Sequence, residues 1–389
     1  MSNAPHYDVD FYSDAFIRNP WPHYAEMRAL GPVIWLHGLG NYALTRFAEV
    51  RAALRDPEVF QSGEGVAGDD FGCSYLRGNT VASDEPRHSA LRGVMAPQLA
   101  RKALEDVRPV IEDSAAALIA DLKTKDGFNA ATDLAQALPL SIVRDLVGLP
   151  DYGKDNMLQW AAAAFNVLGV QNTRGKDAVN TVEDMRAFLA AADISGSLKT
   201  GSWTANVMKA AENGDIDPAL APFAIRDFIN PSLDTTISAI GQLVFQLGRN
   251  PQEWAALKAD PNLATNAAME AVRLATPIRS FSRRATRDVD VAGVVIPEGA
   301  RVMMLFASAN RDETVFDDPD RFVLNRKARL HLGFGAGPHT CVGMHLALME
   351  LEAIANALAQ QVDRIEVGEP APAMNNTICA FADIPAALH

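Results

Sequence analysis

No apolar run in this 389-residue chain approaches the roughly 20 residues that a bilayer-spanning helix needs. The opening Met1-Ser-Asn-Ala-Pro-His-Tyr-Asp has neither the basic stretch nor the apolar core of a secretory leader, so a soluble, cytoplasmic protein is expected. Cysteine is scarce. Cys73, Cys341 and Cys379 are an odd set without metal-ligand spacing, which fits a reducing compartment better than a disulfide framework. Positive charge is also in deficit: a net charge of −13 without a clustered basic face argues against a nucleic-acid partner. Internal repeats, low-complexity tracts and Pro-, Gly- or Ser-rich linkers are missing, and residues 1–389 read as a single domain.

What is present is mostly helical pattern. Apolar residues recur at three- and four-residue intervals over Val107 to Leu122, Leu134 to Val147, Ala219 to Arg249 and Ala264 to Ala275. Strand signals are short: Val33 to Leu36 with Tyr42 to Thr45, then Val289 to Ile296 and Arg301 to Leu305, bounded by Gly and Pro turns. The class expected is mainly α with small accessory sheets. The Gly-rich stretch Ser62 to Gly78 and the loop Val170 to Arg174 read as mobile loops, of the kind that close over a pocket.

The chemistry concentrates near the C-terminus, in Phe334-Gly-Ala-Gly-Pro-His-Thr-Cys341-Val-Gly343. Glycines at 335, 337 and 343 allow backbone angles closed to other residues and a close approach by a flat ligand. Apolar residues from Leu346 onward then continue as a helix whose N-terminal amides favour a thiolate at Cys341. The run fills every fixed position of F-G-x-G-x-H-x-C-x-G and resembles the haem-ligand loop of the cytochrome P-450 monooxygenases. Further segments agree with it. Glu270-Ala-Val-Arg273 resembles the family's E-x-x-R, with Arg321 in Phe316-Asp-Asp-Pro-Asp-Arg-Phe322 as its partner arginine. Asp84-Glu-Pro-Arg-His88-Ser-Ala-Leu-Arg92 resembles D-P-P-x-H-x-x-x-R, and Asn230-Pro-Ser-Leu-Asp234-Thr235-Thr236 resembles the oxygen-binding A-G-x-D-T-T.

The resemblance implies a triangular-prism fold holding haem b, with Cys341 as the iron ligand and Phe334, Gly335 and Gly343 shaping its loop. It implies that His88, Arg92, Arg283 and His339 face the haem propionates. Thr235 would support the oxygen-side hydrogen-bond network, and Asp234 would relay protons to it. Pro231-Ser232 departs from the pattern: the proline kinks the helix near Asp227 and leaves its own carbonyl to accept the Thr235 hydroxyl. Ser232 alters the oxygen groove.

No flavin or nicotinamide fingerprint is present, so electrons come from NAD(P)H through partner proteins, by resemblance an iron-sulfur ferredoxin and its reductase. Arg321, Arg326, Lys327 and Arg329 offer a docking face for an acidic donor. A monomer is expected. Within the superfamily the chain is similar to soluble bacterial enzymes that oxidise para-substituted benzoic acids. That similarity implies a small aromatic substrate met by Arg226, Arg77, Thr80, Phe165, Phe281, Ser232 and Ile378, with O2 as co-substrate. Asp227 and Asn230 stand where that subgroup has serines, and a carboxylate beside Arg226 weakens anion binding. The alternatives are a neutral phenolic, alkyl-aromatic or terpenoid substrate, a peroxide-driven haem enzyme, or a haem-thiolate sensor or carrier.

Overall fold

A computed structural model describes residues 3–191, 194–326 and 330–389. Its centre is a helix, Met344–Gln361, that follows the cysteine loop and packs against helices Arg108–Leu122 and Ala264–Ala275. A second central helix, Asp234–Arg249, lies against both Ala264–Ala275 and Met344–Gln361. Every residue from Thr236 to Val244 in it is buried. Apolar and small polar side chains on all sides of a helix are what a core position demands, because no face is left to meet water.

The strands form a six-stranded sheet at one side of the helical body, in the order His6–Tyr7, Val33–Leu36, Asn41–Leu44, Arg301–Met304, Phe281–Ala285, Phe60–Gln61. Val302 is the junction, paired in parallel with Tyr42 and antiparallel with Arg283. This register fixes the strand that carries both Phe281 and Arg283. The Val289 to Ile296 run is a hairpin, Val289–Val291 with Val294–Ile296. Its turn has Ala292 at φ 52° and Gly293 at φ 83°. Among the described residues no helix is long and apolar enough to cross a membrane.

Three expectations need correction. The helix read from Ala219 to Arg249 is two α-helices, Ala221–Ile229 and Asp234–Arg249, separated by a turn. Pro231 has no N–H to offer Asp227, and its ring opposes that carbonyl, so the helix stops instead of bending. The Gly-rich stretch from Ser62 to Gly78 is not bare loop. It contains the helix Asp70–Tyr75, capped by Asp69, whose carboxylate accepts the Gly72 N–H at 2.8 Å. Asp70 then pairs with Arg284 and Arg301 from the large sheet. The Val170 to Arg174 loop is likewise tied: Asn172 and Arg174 both donate to the Asn376 amide oxygen, at 2.9 and 3.1 Å.

Candidate functional site

The cysteine loop is held by its own backbone. Gly335 and Gly337 sit at φ +72° and +70°, and a Cβ on Gly337 would lie 2.2 Å from the Leu54 carbonyl oxygen. Only glycine fits there. Cys341 donates its N–H to the Phe334 carbonyl at 2.8 Å, which closes the loop and sets the thiol just ahead of the Met344–Gln361 helix. Cys341 presents surface to a cavity, although protein surrounds it closely. That burial raises its thiol pKa, while the Gly343 and Met344 N–H groups and the Arg92 charge act to lower it. The opposing group is thus a built anion holder at the sulfur itself.

The cavity encloses about 1700 Å³ of space not filled by atoms, its mouth included. Its lining reaches from Phe334, Cys341 and Gly343 in the cysteine loop to Asp227 and Asn230 on the broken helix. Its walls are chiefly apolar, among them Leu76, Val81, Phe165, Ala239, Phe281 and Phe334. One side collects cationic residues. His88, Arg92, Arg283 and His339 all line the cavity, and the two imidazoles lie 4.2 Å apart, centroid to centroid.

Among the described residues these groups have few anionic partners. Arg283 is 3% exposed, and its one hydrogen bond runs from Nη1 to the Ser282 carbonyl at 2.7 Å. Burial lowers its pKa to about 10, against the pull of Asp84. His88 meets Glu85 through Nδ1 at 3.1 Å, while its buried Nε2 has no partner. Burial, helped by Arg283, His88 and Arg92, pushes His339 down to about 2. A buried cluster of donors with spare N–H groups calls for an anion with several oxygens. The two propionates of haem fit that demand, the cavity fits the ring, and Cys341 fits the iron.

The broken helix supplies polar groups to the same cavity. Thr235 lines the cavity and donates its hydroxyl to the Pro231 carbonyl at 2.8 Å, as the sequence predicts for a proline one turn upstream. Ser232 also lines it, with its hydroxyl bonded to the Phe228 carbonyl. Asp234 forms no hydrogen bond or ion pair among the described residues and does not line the cavity; burial alone raises its carboxyl pKa to about 7.

The structure brings Thr80, Phe165, Phe281 and Ser232 to the cavity wall but not Arg77, Arg226 or Ile378. Arg77 is mostly exposed and pairs with Glu64 at 2.8 Å. Arg226 stacks over Phe223 at 4.3 Å, where its charge is felt by Tyr75 and Asp227. Ile378 bridges to Ile278, and it is Ile278 that lines the cavity. Thr80 spends both its N–H and its hydroxyl on the Asp227 carboxylate, at 2.7 and 2.6 Å. Burial raises Asp227 to about 6, with these two bonds pulling the other way. Beside it, the buried Oδ1 of Asn230 has no partner. The charges of Arg226 and Arg87 also act on the Asp227 carboxyl and favour its ionised form.

Behind the site lies a network around Glu270. Arg273 binds it through Nη2 and Nε at 2.7 and 2.8 Å, both side chains fully buried. The third charge is Arg326, at 3.0 Å from Glu270, and not Arg321. Arg321 turns outward to Asp318 at 3.2 Å and contributes only its carbonyl, which accepts from Arg273 at 3.0 Å. Two arginines in one turn-rich stretch share the same spacing logic, and only the path of the backbone decides which faces inward. Arg326 is consequently withdrawn from the expected docking face, and Lys327 and Arg329 lie outside the described residues. A residue that sequence reasoning passed over is Glu350, nine positions after the cysteine, fully buried with both carboxylate oxygens unpartnered.

Comparison with known proteins agrees with this geometry. The sequence model described as Cytochrome P450 matches residues 223–363. The chain is 36% identical over 392 residues to cytochrome p450 CYP199A2 of Rhodopseudomonas palustris, covering 100% of this chain and 95% of that protein. It is 30% identical to the beta-dihydromenaquinone-9 omega-hydroxylase of Mycobacterium tuberculosis, over 93% of this chain and 74% of the other. The crystal structure of Mycobacterium marinum cytochrome P450 CYP268A2 in complex with pseudoionone superposes with a TM-score of 0.86 at 27% identity, over the whole of both chains.

Proposed function

The chain belongs to the cytochrome P450 family, and from that premise we propose that residues 1–389 act as one unit that hydroxylates or O-demethylates a small aromatic substrate whose polar end is neutral. Haem b, held through Cys341, supplies oxygen activation and insertion into a C–H bond, drawing electrons from NAD(P)H through redox partners. An iron-sulfur ferredoxin and its reductase are the partners we propose.

The observation that carries the substrate reading is the wall itself. Phe165 and Phe281 line the cavity and can flank a ring, and Asp227, Asn230 and Ser232 line it too, whereas Arg77 and Arg226 do not. A phenol or similar donor can bond to Asp227 or Asn230. A carboxylate there would face the Asp227 carboxylate, and neither Arg77 nor Arg226 lines the cavity to meet it. His88, Arg92, Arg283 and His339 hold the propionates. Thr235 positions a hydroxyl at the oxygen side through its bond to Pro231, and Asp234, half protonated near neutral pH, holds the proton to be passed on.

The sequence resemblance supports a second reading, a para-substituted benzoic acid. Titrating the ferric protein with 4-methoxyphenol, 4-ethylphenol and 4-methoxybenzoate, and following the haem Soret band, separates the two. A low-to-high-spin shift with the neutral arenes, and turnover of them with a ferredoxin system, is the expected result. A shift with the acid alone moves the assignment to the benzoate, and a shift only with long terpenoids removes the small-aromatic reading.

A further inference from the structure

A second cavity, about 930 Å³ of space not filled by atoms with its open mouth included, adjoins the wall of the reaction cavity. The two share a strip of backbone. Pro277 and Ile278 line the first, and the next residue, Arg279, lines the second. Cys379, which also lines the second, donates its N–H to the Pro277 carbonyl at 2.9 Å.

Three arginines line this cavity, Arg18, Arg279 and Arg311, and no Asp or Glu does. Arg279 is 2% exposed. Its Nη2 donates to the Asn375 and Ile378 carbonyls at 3.1 and 2.5 Å, while its Nε and Nη1 are buried without a partner. It forms no ion pair among the described residues. Arg311 has one carboxylate, Asp320, outside the lining, and its guanidinium lies 3.7 Å over the Trp21 ring. Arg279, Arg311 and Cys379 line this one cavity together, and both guanidinium charges act on the thiol. A buried guanidinium without a counter-ion is costly. The remaining wall is apolar and aromatic, with Trp21, Phe245, Leu274 and Phe381.

We propose that this cavity is a binding site for a small organic carboxylate, separate from the reaction cavity and independent of the substrate class argued above. The carboxylate meets Arg279 and Arg311 at the N–H edges of their guanidiniums, and the ligand's apolar body lies against Phe245 and Phe381. Such a pairing is charge-assisted and matches the planar fork of a guanidinium.

The test is a calorimetric titration of the haem-loaded protein with 4-iodobenzoate, its reaction cavity first filled with the iron-binding azole 4-phenylimidazole. One binding event is expected, with the Soret band unchanged. Gln242→Glu, which puts a carboxylate into the cavity wall, and Arg311→Gln should each weaken it roughly tenfold or more. Should Arg311→Gln fail to take up haem, Gln242→Glu decides alone. Crystals of the same complex should show the iodine anomalous peak in this cavity. Absence of heat in the parent protein overturns the proposal. So does heat of equal affinity in the variants with iodine only on the outer surface, which would mark an adventitious additive only.

Discussion

The hydroxyl of Thr235 donates to the carbonyl of Pro231 at 2.8 Å, across a break that the proline itself creates. In an uninterrupted helix that carbonyl would accept the N–H four residues on. Here the chain leaves the helix at Asn230 and re-enters at Asp234, and the side chain takes up the acceptor. The residue that ends one helix thereby orients the hydroxyl at the head of the next.

Thr235→Ala removes that hydroxyl without touching the cations or Cys341. Haem content and the thiolate spectrum should be unchanged, while product formed per NADH consumed should fall roughly tenfold or more. A preserved ratio, measured with a competent ferredoxin system, would remove Thr235 from oxygen-side chemistry.

Asp234 is expected to show itself in the pH profile. Its carboxyl, raised to about 7 by burial, is the acid below that pH and the carboxylate above it. Coupling of electron use to product should therefore decline between pH 6 and 8 in the parent protein. Asp234→Asn should give a low, flat profile over the same interval; an unaltered slope would assign the titration to another group.

The Glu270 network makes two arginines distinguishable. Arg326→Ala leaves a fully buried carboxylate with one partner fewer and should cost about 3–5 kcal/mol. Arg321→Ala, whose guanidinium is mostly exposed, should change stability by no more than about 0.5 kcal/mol. Denaturant unfolding of the two variants checks the assignment, and equal losses would contradict it.

Glu350 links stability to pH. Burial raises its carboxyl from 4.5 to about 8, so between those values the unfolded chain releases this proton and the folded protein keeps it. The folded state binds more protons, and stability falls as pH rises through that window. Glu350→Gln should match the parent near pH 4.5 and exceed it at pH 8 by on the order of 3 kcal/mol, read as a rise in Tm. No gain at pH 8 would mean that Glu350 ionises freely in the folded protein.

Much of the site was legible because its residues are consecutive. The Phe334 to Gly343 loop, the His88 and Arg92 pair one turn apart, and the Glu270 and Arg273 pair three apart are local patterns, and local patterns survive folding intact. The 264–275 helix matched its apolar period to the residue. What sequence could not supply was direction. Arg226 looks well placed beside Asp227, yet consecutive helical residues point about 100° apart, and only Asp227 reaches the cavity. Arg326 replaced Arg321 for a similar reason, since their stretch has no regular period to read. The second cavity assembles residues from five distant segments, from Ile17 to Phe381, and no spacing announces it.

The two hydrogen bonds from Thr80 to Asp227 fasten the 80–82 turn to the helix Ala221–Ile229. Both bonds end on Oδ2. One carboxylate thus faces the cavity and ties two stretches of its wall together, so a substitution there disturbs the shape of the chamber along with its polarity.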